Sequence, residues 1–294
     1  SDSNFYPTFV DEVVNVSRAD IQGGSGADNT VDTYSGEDTI TRAPDSTQRV
    51  NSAFLEKIAE FWRGPLHSYD SSDSSSFVDL DAQASNNTVT AGQYPGKVIY
   101  VDSGDNKISS SSYTFDGGHT VYLDVKELQD GLTISGKGTL VIPGNIDIHK
   151  EAKINWEGDI IVAPSGTGKA ILDLHEDAEI NVKGNLVLIA DPDGKGEVAL
   201  DPGKGSKVTV TGGPDGSGGY EDGGSLMVIQ TAESKATIRT DGGGDISVKG
   251  VAAMLGYDIE FFLDGGSGQD PDRSKFELYG TMVMATPDYS KSMH

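Results

Sequence analysis

The sequence contains no cysteine. Disulfide frameworks and thiolate chemistry are therefore excluded, whatever the compartment. Positive charge is scarce: 22 Lys and Arg stand against 46 Asp and Glu, a net charge of −24. A nucleic-acid partner is excluded on that ground, because nothing here neutralises a run of phosphates. The same acidity fits a surface exposed to salt or divalent cations. Aromatic residues reach only 7%, so few platforms exist for stacking sugars. Tyr220, Tyr257, Tyr279 and Tyr289 are the candidates for that role, against the plainer reading of ordinary surface tyrosines. No apolar stretch approaches the roughly 20 residues needed to span a bilayer. The chain is expected to be mature or cut from something longer, with any membrane anchor upstream of Ser1. Leucine-rich helical periodicity is nearly absent as well.

What is present is glycine, 38 residues of it, with Val, Ile and Thr. That combination predicts short strands joined by tight turns. One motif recurs, apolar-polar-apolar-polar-Gly. It appears as "INWEG" (154 to 158), "INVKG" (180 to 184), "VTVTG" (208 to 212), "ISVKG" (246 to 250) and "FELYG" (276 to 280), with "LTISG" (132 to 136) as an earlier relative. The closing glycines, Gly136, Gly158, Gly184, Gly212, Gly250 and Gly280, recur at intervals of 20 to 40 residues, the mark of a solenoid. After each glycine, or an inserted loop, comes an apolar run such as "DIIV" or "NLVLI", then an alternating strand such as "AILDLH".

Three short strands per coil predict an all-β fold, a right-handed parallel β-helix of about six coils. Identical positions stack at about 4.8 Å, and the hand follows from the rule for parallel crossovers. Ile154 and Trp156 point inward with Ile180, Val182, Val208, Val210, Ile246, Val248, Phe276 and Leu278, by the period of two.

Three regions follow. Residues 1–50 read as a polar N-terminal arm, extended or loosely packed. Residues 51–96 hold one amphipathic helix, with Phe54, Leu55, Ile58, Phe61 and Trp62 at helical spacing, and a loop after Gly64 and Pro65. Residues 97–294 form the β-helix. Its apolar runs have two apolar faces, so Val141, Ile161, Val187, Met227 and Val283 make an outer stripe that needs covering. Either the helix or the arm lies over it, or it is a partner surface.

Two groups of residues could carry chemistry. The matching heptapeptides "IDIHKEA" (146 to 152) and "LDLHEDA" (172 to 178) lie one coil apart. They stack Asp147 on Asp173 and His149 on His175, facing outward, with Asp201 expected next in the histidine column. Such a ladder is an ordinary product of diverged repeats. Asp147, His149, Asp173, His175 and Asp201 also suit a divalent metal. Asp147, Asp173 and Asp201 suit acid–base catalysis if the chain is an enzyme. The second group is the acidic loops. "DPDGKGE" offers Asp191, Asp193 and Glu197 to calcium. "GGSGAD" (23 to 28) and "GGSGQD" (265 to 270) match the opening of a calcium-binding repeat but stand singly, which turn chemistry also explains. No cofactor is required, and calcium is the ion these loops would take.

The stretches "KVIYVDSG" (97 to 104) and "GTLVIPGNIDIHKEAKINWEGDIIV" (138 to 162) carry a resemblance. They look like the C-terminal domain of PilX-like type IV pilus assembly proteins, over roughly residues 50 to 190. The resemblance implies an extracellular, cell-surface, non-enzymatic role as a pilus-tip component, minor pilin or adhesin. It implies pilus or cell-surface protein partners, and an anchor only through an N-terminal helix this sequence lacks. Polysaccharide is a further candidate partner. Two rival functions are kept: a polysaccharide-active β-helix lyase or glycoside hydrolase, and a calcium-stiffened filament subunit.

Overall fold

The computed structural model describes residues 12–22, 30–33, 39–42, 52–80, 87–103, 105–164, 168–190, 196–212, 223–232, 234–240, 243–263 and 274–285. Three strands come first: β1 (Glu12–Gln22), β2 (Thr30–Thr33) and β3 (Thr39–Arg42). Helix α1 (Ser52–Arg63) then runs into a 3-10 turn (Gly64–Ser68). The next strands are β4 (Phe77–Asp79), β5 (Thr88–Val89), β6 (Val98–Asp102), β7 (Lys107–Ile108), β8 (Tyr113–Asp124) and β9 (Glu127–Leu128). After these come β10 (Thr133–Ile142), β11 (Ile146–Ile148), β12 (Lys153–Val162), β13 (Ala170–Leu174), β14 (Glu179–Ile189) and β15 (Val198–Pro202). The last are β16 (Lys207–Thr211), β17 (Gly224–Ile229), β18 (Lys235–Thr240), β19 (Asp245–Leu255), β20 (Asp258–Leu263) and β21 (Lys275–Ala285).

From β4 to β21 every pairing is parallel, and the strands stack into two sheets. The first sheet runs from β4 through β6, β8, β10, β12, β14, β16 and β19 to β21, with β17 beside β14 and β19. The second runs β7-β9-β11-β13-β15-β18-β20. This is a parallel β-helix.

The inward positions are those the alternation predicts. Ile154, Ile180, Val208, Ile246 and Phe276 are all at most 1% exposed, and one continuous core contains them together with Trp156 and Leu278. The motif and the apolar run that follows it are, however, one strand, not two. β12 carries both "INWEG" and "DIIV", and its ladder to β14 continues unbroken across Gly158 and Gly184. The chain turns the corner there at φ +124° and +149°, a region open to glycine. A Cβ on Gly184 would stand 2.2 Å from the carbonyl oxygen of Gly158, so close stacking of the corners independently demands glycine.

Register corrects two members of the glycine series. Gly138, not Gly136, pairs with Gly158. Gly136 instead lies opposite Trp156, and a Cβ there would meet the indole at 2.7 Å. The small residue makes room for the large one, and the indole N–H donates to the Gly138 carbonyl at 3.0 Å. Likewise the corner after β16 is closed by Gly224, which pairs with Gly250, not by Gly212. An insertion separates the motif from its corner in that coil.

The outer stripe is covered within the chain. Leu55 and Ala59 of α1 and Leu66 of the 3-10 turn form a second buried cluster with Val141, Ile161, Val187 and Val283, and Met227 packs against it. Along β10, β12 and β14 alternate residues thus enter two different cores. Arg63 ties the helix end to the solenoid, donating to the Ala190 carbonyl at 3.1 Å. The partner-surface reading of these five residues is therefore withdrawn: four are buried and Met227 is half-buried. Among the described residues, the large hydrophobic side chain left in solvent is Phe61, 67% exposed on the helix's far side.

Three strands are described within the polar N-terminal region. β1 pairs antiparallel with β21, from Glu12 opposite Met284 to Gln22 opposite Lys275, and β2 and β3 pair with β1. The free edge of the last coil is occupied by the beginning of the chain.

Candidate functional site

The heptapeptides fold alike for a local reason. In each, the apolar–Asp–apolar triplet lies on a strand of the second sheet and sends Asp outward. The chain then turns, with Ala152 N–H bonding the His149 carbonyl at 3.0 Å and Ala178 N–H the His175 carbonyl at 3.1 Å. Glu151 and Asp177 take the left-handed conformation, both at φ +59°. Much of the shared heptapeptide is thus turn chemistry.

On the outer face of this sheet, Glu127, Asp147, Asp173 and Asp201 form one column across β9, β11, β13 and β15. Asp201 continues the aspartate column and not the histidine one, because Leu174 pairs with Pro202 and puts Gly203 after His175. The cause is coil length. Asp147 and Asp173 are one 26-residue coil apart, but the next coil is two residues longer. A slip of two keeps every side chain on its own face, so hydrophobic alternation cannot reveal it.

His149 and His175 stack beside the acidic column, ring centroids 5.1 Å apart. Donor atoms of Asp147, Asp173 and His175 lie within 4.8 Å of one another. His149 stands between two carboxylates, Nε2 at 3.8 Å from Glu127 and Nδ1 at 3.8 Å from Asp130. Gln129 donates to the same Glu127 carboxylate at 2.7 Å.

A cleft of about 510 Å³ opens at the neighbouring corner, between the ends of β8 and β10 and the segment before β13. Asp124, Lys126, Asn145, Asp147 and Lys169 line it. Of the three carboxylates proposed for catalysis, Asp147 lines this cleft, and Asp124 joins it there. Glu197 of the calcium-loop candidate pairs with Lys169 at 3.4 Å. Asp191, Asp193, "GGSGAD" and "GGSGQD" lie outside the described residues.

Sequence reasoning missed an aromatic cluster that meets the cleft through Asp124. Tyr69 stacks on Tyr100 with centroids 4.3 Å apart and tilts against Tyr122 at 4.8 Å. Tyr100 O–H donates to Asp124 at 2.8 Å. Burial raises the Tyr100 pKa well above its ordinary value, and the Asp124 hydrogen bond and charge raise it further. Burial, with Asp124 and Tyr69 adding, pushes Tyr122 up to about 12. The signal was present in "YVD" (100 to 102) and "YLD" (122 to 124), which stack residue on residue. Of the sugar-platform candidates, Tyr279 carries the Lys249 ammonium 6.0 Å from its ring centre. Tyr220 and Tyr289 lie outside the described residues.

Compared with known family models, curated proteins and solved structures, the chain matches none.

Proposed function

We propose that this chain is a non-enzymatic structural and adhesive module displayed at a cell surface, in a type IV pilus-like system. The observation that carries the reading is the column Glu127, Asp147, Asp173 and Asp201. It repeats one sign of charge at one position on successive coils. A parallel ladder holds such charges at about 4.8 Å intervals without further ordering cost. The face suits multivalent contact with a pilus protein, a cell-surface protein or a polysaccharide, calcium bridging the acidic partners. The resemblance to PilX-like C-terminal domains supports the same reading.

The test is retention on a panel of insoluble and acidic polysaccharides, with and without calcium, scored together with release of soluble sugar. Retention without release is expected. Release of product would sink the reading and support a polysaccharide-active enzyme. The cleft favours that second reading, because Asp124 and Asp147 both line it and glycoside hydrolysis needs two carboxylates across a bond. In that event Asp124→Asn and Asp147→Asn are the first variants to assay.

A further inference from the structure

The acidic column spans four coils, but the histidines occur in two of them. Glu127-x-Gln129 precedes them and Asp201-x-Gly203 follows; Asp147-x-His149 and Asp173-x-His175 stand between. Each histidine follows directly on the end of its strand, His149 after Ile148 and His175 after Leu174, and the two rings lie 5.1 Å apart beside the aspartates. At this one place, therefore, imidazoles are set beside the carboxylates.

We infer that Asp147, Asp173 and His175 form a binding site for a divalent transition-metal ion of the zinc class, with His149 at its margin. The donor set decides the class. Calcium takes six to eight oxygens, and imidazole is a poor ligand for it. Two carboxylates and a histidine nitrogen suit zinc, cobalt or nickel. The spacing also fits. Ligand bonds of about 2.0 to 2.2 Å need donors roughly 3 to 4 Å apart. The three donor atoms already lie within 4.8 Å, so small side-chain rotations bring them onto one ion.

Two further features set this place apart from a general run of acid. His149 has a carboxylate 3.8 Å from each ring nitrogen, Glu127 on one side and Asp130 on the other. Those two carboxylates hold His149 at the margin of the site, outside the set of Asp147, Asp173 and His175. The backbone beneath is also fixed before any ion arrives. Asp147 pairs with Asp173, and His175 N–H donates to the Ile148 carbonyl at 2.8 Å. Asp147 also lines the cleft, so an ion held here borders the space open to a further ligand.

The inference rests on these residues alone and does not need the surface-display reading. The experiment is calorimetric titration of the intact chain with zinc, repeated with cobalt to read its visible absorption. One ion per chain is expected. Calcium at hundredfold excess should leave the zinc isotherm in place. His175→Ala and Asp173→Asn should each weaken zinc binding about tenfold or more and change the cobalt spectrum. Asp201→Asn, in the same column but beyond the histidines, should not. Circular dichroism and thermal melting of each variant without metal serve as the folding control, and retained cooperative melting is expected. Absence of stoichiometric zinc binding would overturn the inference. So would equal displacement by calcium, or equal weakening by Asp201→Asn, each of which means a diffuse cation atmosphere over the column.

Discussion

The two sheets of this solenoid share one inner core and differ in what they show on the outside. On the first sheet the outward residues of the apolar runs are Val141, Ile161 and Val187, and α1 with its 3-10 turn joins them in a buried cluster. On the second sheet Glu127, Asp147 and Asp173 face outward and are half-buried, with His149 and His175 just past the strand ends and Ile171 and Ala199 on the same face. The ladder geometry is alike in both. The outward side chain alone decides whether a face recruits another part of the chain or stays in water. The first sheet is therefore a packing surface and the second a candidate working surface.

The comparison can be broken at its shared element. Trp156→Asp puts a charge into the core that serves both sheets, against a buried indole at 2% exposure. Complete loss of cooperative melting is expected. A normal melting curve would mean that the inward register is wrong. A smaller effect separates the sheets. Leu55→Ala removes the centre of the cover on the first sheet and is expected to cost about 2 to 5 kcal/mol, read by urea unfolding. A loss under about 1 kcal/mol would mean that α1 is incidental to that face.

The mildest effect is with pH. Tyr100 and Tyr122 both titrate higher in the folded chain than their ordinary value of 10.0. The stabilisation tied to their neutral forms is complete below about pH 10 and is lost as pH rises above it. For Tyr122 that window closes near its folded value of about 12. The melting temperature should fall between pH 10 and pH 12, and Tyr122→Phe should fall less. Equal alkaline losses in the two proteins would place the sensitivity elsewhere.

Much of the fold was legible because a stacked parallel strand has a strict period of two. The inward set from Ile154 to Leu278 could be read from alternation, and α1 from three- and four-residue spacing. The candidate site was legible in part. Asp147 over Asp173 and His149 over His175 follow from two heptapeptides one coil apart, since equal coils stack like on like. Asp201 was misplaced because its coil is two residues longer. Gly136 was misread as a corner because it ends a motif that looks the same when displaced by two. Gly212 was misread because an insertion separates it from Gly224. For Asp201 and Gly136 the error preserved the face, and a pattern of faces carries no information about displacement by two. The Tyr69–Tyr100–Tyr122–Asp124 cluster escaped notice because Tyr69 reaches it from a separate segment of the chain.

The sequence by itself determined that a polar, cysteine-free, glycine-rich chain would coil as stacked strands, and which residues those coils would bury. Period and residue size are local properties, and they suffice for that. Only the tertiary structure decided which outward residues become neighbours, since that depends on the exact length of every coil. It also decided that α1 covers the stripe, and that β1 pairs with β21 to occupy the last edge. Those contacts join segments far apart in the chain. Their free energy comes from burial and from closing an open ladder; a short stretch of sequence shows that a face needs cover but not which segment supplies it.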